Sequence, residues 1–231
     1  MFSLLFGIFI LFSLIFNNNI YGQTNGTYSI YNNGTYGISV KYPSSLQIVN
    51  ASFSEPRHSL VNVVVFEGSS GFLFDGRLWI SFDDLQGNYI SLKQYTDGRI
   101  NCLTNGDAYK VTNYDLNLKL SGLPAYKIES EGDILKFNPF GDGASDIHKR
   151  LEIETVIGDK AYAITYDIDD YYFQKNMPIV NEIISSFEID EDVISDTLNK
   201  SKVSIDNYHN PQIIKVDHFE CLGIKTPTET A

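Results

Sequence analysis

The stretch YGISVKYPSSL, residues 36–46, places Tyr36, Ile38, Val40 and Tyr42 on one face of an extended chain and Gly37, Ser39 and Lys41 on the other. Pro43 lacks a backbone N–H, so a hydrogen-bonded ladder must end or reach a sheet edge there. A half-buried strand is therefore expected to open the folded part. The same period of two returns along most of the chain. LVNVVVF (residues 60–66) reads as a more fully buried strand, and Leu78, Ile80 and Phe82 alternate with Arg77, Trp79, Ser81 and Asp83. Tyr114, Leu116, Leu118 and Leu120 alternate next, and LPAYKIE (residues 123–129) follows after only Ser121-Gly122, which calls for a hairpin. Leu151, Ile153, Thr155 and Ile157 alternate with Arg150, Glu152 and Glu154, and Gly158-Asp159 turns the chain into KAYAITY (residues 160–166).

Two segments change period. Ser91 can cap a helix over LKQYTDGRINCL (residues 92–103), which Gly98 weakens. Phe173, Met177, Val180, Ile184 and Phe187 put one apolar stripe on a helix. Pro178 is tolerated near a helix start or at a kink, so this helix is expected from about Pro178 to Ser186, after a short turn. Strands in meander with a few covering helices make an α/β (α+β) layered domain around a largely antiparallel sheet.

Residues 2–16 are nearly all Leu, Ile and Phe, with no charged side chain. As a helix they would span roughly 22 Å, short of the roughly 30 Å hydrocarbon core of a bilayer. The reading is a signal peptide over residues 1–22, cleaved before Gln23, with a retained anchor or a core helix as alternatives. Either of the first two places the rest of the chain outside the cytoplasm. Residues 23–35 read as a flexible polar leader. Four tripeptides match the N-glycosylation acceptor pattern, at Asn25, Asn33, Asn50 and Asn199.

Removing the signal leaves about 209 residues, enough for one well-buried domain and an extension. Seventeen basic residues against 29 acidic ones give a net charge of −12. That balance disfavours nucleic acid as a partner and an anionic lipid surface as well, so no nucleic-acid partner is expected and membrane association would run through a protein partner. The two cysteines, Cys102 and Cys221, are an even number for an oxidising compartment. A bridge between them and two separate buried thiols are both open readings.

The order of YGISVKYPSSL, LSGLPAYKIE, DKAYAITYDID and MPIVNEIISSFEI resembles the PsbP-like family, in the form of its secreted archaeal members, over roughly residues 28–190. The resemblance implies an α-β-α sandwich with a central, largely antiparallel sheet, here over residues 36–189, followed by an acidic C-terminal extension, residues 190–231. It also implies a function, since family members in photosynthetic membranes are extrinsic subunits that stabilise a metal-containing complex, and related folds bind a small GTPase. The motif residues have structural readings of their own. Gly122 supplies a tight turn, and Ser186-Phe187 ends the apolar stripe against the sheet.

No G-x-S-x-G, HExxH, phosphate-cradling loop or dinucleotide fingerprint occurs. His58, His148, His209 and His218 all fall in segments that read as loops or tail. Asp142 with Asp146, and Asp167 with Asp169 and Asp170, offer oxygen ligands to calcium without EF-hand spacing. Asp217, His218, Glu220 and Cys221 crowd potential transition-metal ligands into one short run. No resident cofactor, metal or catalytic residue is assigned. In the extension, Val193, Ile194 and Leu198 form a weak apolar helix face behind acidic residues, and PQIIKV (residues 211–216) could add a strand. The extension is either docked on the domain or a partner-binding arm. The function expected is a non-catalytic, extracytoplasmic binding or assembly module with a protein partner, against a secreted hydrolase with an unrecognised active site.

Overall fold

The computed structural model describes residues 27–49, 60–68, 76–104, 109–133 and 147–207, without the side chains of residues 60, 133 and 200–207. Five strands come first, β1 (Tyr28–Asn33), β2 (Ile38–Pro43), β3 (Leu46–Val49), β4 (Leu60–Gly68) and β5 (Arg77–Asp84). Helix α1 (Leu92–Thr104) leads to β6 (Tyr109–Leu120), β7 (Leu123–Asp133), β8 (Ile147–Ile157) and β9 (Lys160–Asp169). Helix α2 (Asp170–Ser185), the short β10 (Glu188–Ile189) and helix α3 (Glu191–Asn207) follow.

Seven strands form one antiparallel sheet in the order β3-β4-β5-β9-β8-β7-β6, and β1-β2-β10 form a second, smaller one. The chain leaves β5, crosses the sheet through α1 to the far edge, and meanders back until β9 lies beside β5. The two hairpins read from the sequence are both present, with Ser121-Gly122 and Gly158-Asp159 as their turns.

Central position explains the sequence of β9. Tyr162, Ile164, Tyr166 and Ile168 point into the main core, where α2 and the small sheet cover them. Ala161, Ala163 and Thr165 point to the opposite face and are also buried. Small side chains there leave room for the long groups of neighbouring β8. The main core is aromatic. Tyr42 and Tyr31 of the small sheet meet Phe66 of β4, and Tyr36 meets Phe82 of β5. Phe173 of α2 stacks on Tyr166 with ring centroids 5.7 Å apart.

Three expectations change. Residues 28–33 of the supposed leader are strand β1, paired along its length with β2, because Tyr31 packs on the core and donates to the Val63 carbonyl at 3.0 Å. Helix α2 starts at Asp170 instead of Pro178 and runs through the proline. Asp169 caps it by accepting the Tyr171 N–H at 2.8 Å, and burial of Phe173, Val180 and Ile183 on both sides of Pro178 outweighs the one backbone hydrogen bond lost. Ile183, not Ile184, is the fully buried member of the stripe.

Of the two readings of the extension, docked on the domain or a free arm, the packing of the residues just after 189 supports the first. Val193 and Ile194 of α3 rest against the core and Thr197 is buried. Gly37 makes this possible. Its φ is +61°, and a Cβ built there would lie 2.4 Å from Val193 Cγ2, while its carbonyl accepts the Asp190 N–H at 2.8 Å. The glycine of the opening motif is thus the seat of α3. Residues 190–198 are docked on the domain, and the expected strand at 211–216 lies outside the described residues.

The serine before Phe187 also has a definite task. Ser186 Oγ accepts the Lys41 N–H at 3.0 Å and lies 2.9 Å from the Lys41 carbonyl, two residues beyond the last β10–β2 pair on each strand. A side chain continues the ladder where the helix end has no strand to offer.

Candidate functional site

Strand β8 alternates apolar and charged side chains, which for a sheet with one wet face would put Glu152 and Glu154 in solvent. Both are instead shut away, at 1% and 0% side-chain exposure. The cover is α1, which packs on β6, β7 and β8. Ser91 starts this helix with a reciprocal cap. Its hydroxyl accepts the Gln94 N–H at 3.2 Å, and Gln94 Oε1 accepts the Ser91 N–H at 2.9 Å. Thr96 and Arg99, three residues apart, then face the sheet together.

Arg99 is 2% exposed. Its Nε donates to Glu154 Oε1 at 2.9 Å and its Nη2 donates to Glu152 Oε1. Thr96 Oγ1 donates to the second Glu154 oxygen at 2.8 Å. Arg150, two residues before Glu152 on the same face of β8, lies 3.3 Å from Glu152 Oε2 through its Nε. Its guanidinium is also 5.2 Å from the centre of the Trp79 ring and 5.6 Å from that of Tyr109, which are cation–π distances.

Toward the ends of β8 and β9 the cluster opens. Asp167 Oδ2 accepts the Tyr109 hydroxyl at 2.9 Å and lies 4.0 Å from Arg150 Nη1. Asp167 Oδ1 is 3.1 Å from His148 Nδ1. Burial, with the Asp167 charge beside it, pushes the Tyr109 hydroxyl well above the ordinary tyrosine range, so it serves as a donor. Among the described residues, no serine, threonine or cysteine is bonded to the other ring nitrogen of His148. The arrangement neutralises charge inside the fold and fixes α1 on the sheet. It holds no activated nucleophile among the described residues.

The residues singled out from the sequence are scattered. Asp167, Asp169 and Asp170 do not converge on a calcium site. Asp167 belongs to the cluster, Asp169 caps α2, and Asp170 Oδ1 lies 2.6 Å from Lys149 Nζ. Among the described residues, no group of three or more His, Cys, Asp or Glu is placed to hold a metal ion. Asn33 is half-buried, and its Oδ1 accepts the N–H groups of Thr35 and Tyr36 at 3.1 and 3.4 Å, shaping the β1–β2 turn. Asn199 is exposed on α3. Cys102 is buried in α1 beside the sheet. Asn25, Asn50, Asp142, Asp146, Asp217, Cys221 and the histidines other than His148 lie outside the described residues.

Sequence reasoning missed Arg99, Glu152, Glu154 and Tyr109 as a unit. A signal was present in Arg150, Glu152 and Glu154 on one face of a strand that hairpins or pairs on both sides, because such a strand is central and its second face needs a cover. Exposed large apolar side chains occur on β1, β3, β4, β6, β8, α2 and α3, with Tyr114 and Leu116 together on edge strand β6.

No protein-family profile and no curated protein sequence matches the chain. Among solved structures, it is similar to cyanobacterial PsbP (CyanoP) from Synechocystis sp. PCC 6803, with a TM-score of 0.52 and 13% identity over 73% of this chain and 95% of that one. It is also similar to the Ran-binding protein Mog1p of Saccharomyces cerevisiae, with a TM-score of 0.46 and 11% identity over 73% of this chain and 98% of that one. The chain has the PsbP-like fold.

Proposed function

We propose that the chain is a non-catalytic binding module of the secreted archaeal PsbP-like type, working outside the cytoplasm as an extrinsic accessory subunit of a membrane-associated complex. The observation that supports this most is the internal use of the buried ionisable groups. Arg99, Arg150, Glu152, Glu154 and Asp167 serve one another and helix α1. A catalytic centre would instead aim such groups at an open cleft. The fold supports the same reading by analogy, since the resembled family includes extrinsic subunits. The net charge of −12 suits a protein partner carrying a basic patch and disfavours nucleic acid.

The test is affinity capture of the tagged full chain from native membrane extract, followed by reconstitution with the purified partner identified by mass spectrometry. A saturable complex whose affinity falls with added salt is expected. The rival reading, a secreted hydrolase, has one observation in its favour, the His148–Asp167 pair at a partly exposed position. Turnover on a panel of hydrolase substrates, abolished by His148→Ala with an unchanged melting curve, would overturn the binding-module reading.

A further inference from the structure

Among the described residues, strand β6 is paired on one side only, by β7, and forms an edge of the seven-strand sheet. Its 12 residues include neither proline nor glycine. The opposite edge, β3, is blunted by having only 4 residues. Every residue from Thr112 to Asn117 is exposed, Tyr114 at 60% and Leu116 at 44%. Such an edge offers a second strand a row of backbone donors and acceptors. The β7 register says which side chains lie along it. Val111 and Tyr114 pair with Ser130 and Ile128, which pair in turn with Arg150 and Glu152, so both stand on the α1 side of the sheet. Lys110, Asn113 and Asp115 pair with Glu131, Glu129 and Lys127 and stand on the other side. In a regular strand, residues three or five apart fall on opposite faces. Here the register shift between Val111 and Asn113 inserts Thr112, and that extra residue puts Val111 on the face of Tyr114 and Lys110 on the face of Asp115.

We infer that β6 docks on β6 of a second copy of this chain, antiparallel, about a two-fold axis that passes between Thr112 and Asn113. Residues directly opposite each other in an antiparallel pair share a face. With this axis Lys110 stands opposite Asp115 of the second copy, and Val111 opposite its Tyr114, and the symmetry repeats both pairs. Each pair is on one face, because of the bulge at Thr112. The strand is thus complementary to itself in charge on one side and in apolar surface on the other. Asp115 is already positioned, since its Oδ1 accepts the Asn117 N–H at 2.9 Å. The neighbouring charges on β7 are engaged inward, with Lys127 2.9 Å from Glu129 and Glu131 3.6 Å from Lys149.

Charge selects this occupant over a basic peptide. The chain carries a net charge of −12, but β6 itself carries Lys110 and Lys119 against the single acid Asp115. A second acidic copy is not repelled along this strand, whereas a basic segment would meet two lysines there. Residues 110–115 on each side make a small contact beside the roughly 800 Å² per partner of a standard interface, so the dimer should be reversible. The inference does not rest on the binding-module reading or on the compartment.

Sedimentation equilibrium of the purified chain over a roughly hundred-fold range of concentration should show monomer and dimer in exchange. Lys110→Asp and Asp115→Lys each set like charges opposite one another at both symmetry-related positions, and each should raise the dimer dissociation constant roughly ten-fold or more. Mixed in equal amounts, the two variants should associate with each other, and a chain carrying both changes should dimerise like the parent, because each arrangement restores the opposite-charge pairs. Both positions are exposed, so melting curves should stay close to that of the parent. Should Asp115→Lys lose its fold along with the bond to Asn117, Lys110→Asp and Tyr114→Lys carry the test, each weakening the dimer. A chain that remains monomeric throughout the range would overturn the inference, as would a dimer indifferent to Lys110→Asp. A mixture of the two folded charge variants that fails to associate would overturn the register. Protection of β6 amides from hydrogen exchange only after a different protein is added would overturn the choice of occupant. The sedimentation measurements use this chain alone, so failure here is distinct from failure of the binding-module reading.

Discussion

Replacing Arg99 by methionine keeps the length and apolar stem of the side chain and deletes its charge. Because Arg99, Glu152 and Glu154 have side-chain exposures of 2%, 1% and 0%, water cannot replace the guanidinium. Breaking a buried pair from one side typically costs about 3 to 5 kcal/mol. Two carboxylates lose a partner here, but each keeps another. Arg150 remains 3.3 Å from Glu152, and Thr96 remains 2.8 Å from Glu154. The expected loss is therefore about 3 to 5 kcal/mol and not double that. With a urea m-value of about 2 kcal/mol per molar, the midpoint should fall by roughly 1.5 to 2.5 M. Adding Glu152→Met and Glu154→Leu should restore most of the stability, because an apolar trio of similar volume needs no solvation. Chemical denaturation of the full chain is the assay. A loss under about 1 kcal/mol, or a triple variant no more stable than Arg99→Met alone, would refute the account of α1 as pinned by buried charge.

Gly37→Ala should cost about 2 kcal/mol or more, from the left-handed backbone at φ +61° together with a Cβ 2.4 Å from Val193; hydrogen exchange should show the loss concentrated in α3, and protection of α3 at the native level would remove Gly37 as its seat. Burial pushes the Tyr162 hydroxyl up to about 12. Its contribution is fully present below the unfolded value near 10 and is lost as pH rises toward 12, by about 2 to 3 kcal/mol. Tyr162→Phe should flatten that alkaline slope in melting experiments, and an unchanged slope would assign it to other groups. Mass measurement of the native protein should find a chain beginning close to Gln23; an intact Met1 in the membrane fraction would make the protein an anchored ectodomain.

Much of the architecture was legible in the sequence because strand periodicity and tight turns are local. Residues 151–157 and 160–166 alternate around Gly158-Asp159, and the register follows from the turn alone. The Ser121-Gly122 turn fixes only the three pairs nearest to it, since the β6–β7 register shifts between Asp115 and Leu118 and again between Val111 and Asn113, whereas the cap at Ser91 is local and was legible. Where local rules misled, a contact distant in sequence decided. Pro178 looked like a helix start, but the stripe through Phe173, Val180 and Ile183 had a sheet to bury against. Residues 28–33 looked like polar leader, since the partner that makes them a strand is β2 and the surface that receives Tyr31 is β4. Gly37 read as one member of an alternating strand, and only the approach of Val193 gives the glycine its necessity. The buried cluster is the clearest division. Sequence periodicity put Glu152 and Glu154 opposite the apolar face, which is correct, but periodicity cannot say whether that second face meets water. The crossover of α1 over β6, β7 and β8 decides it, and with it the change of two glutamates from solvated surface groups into the charges that hold a helix.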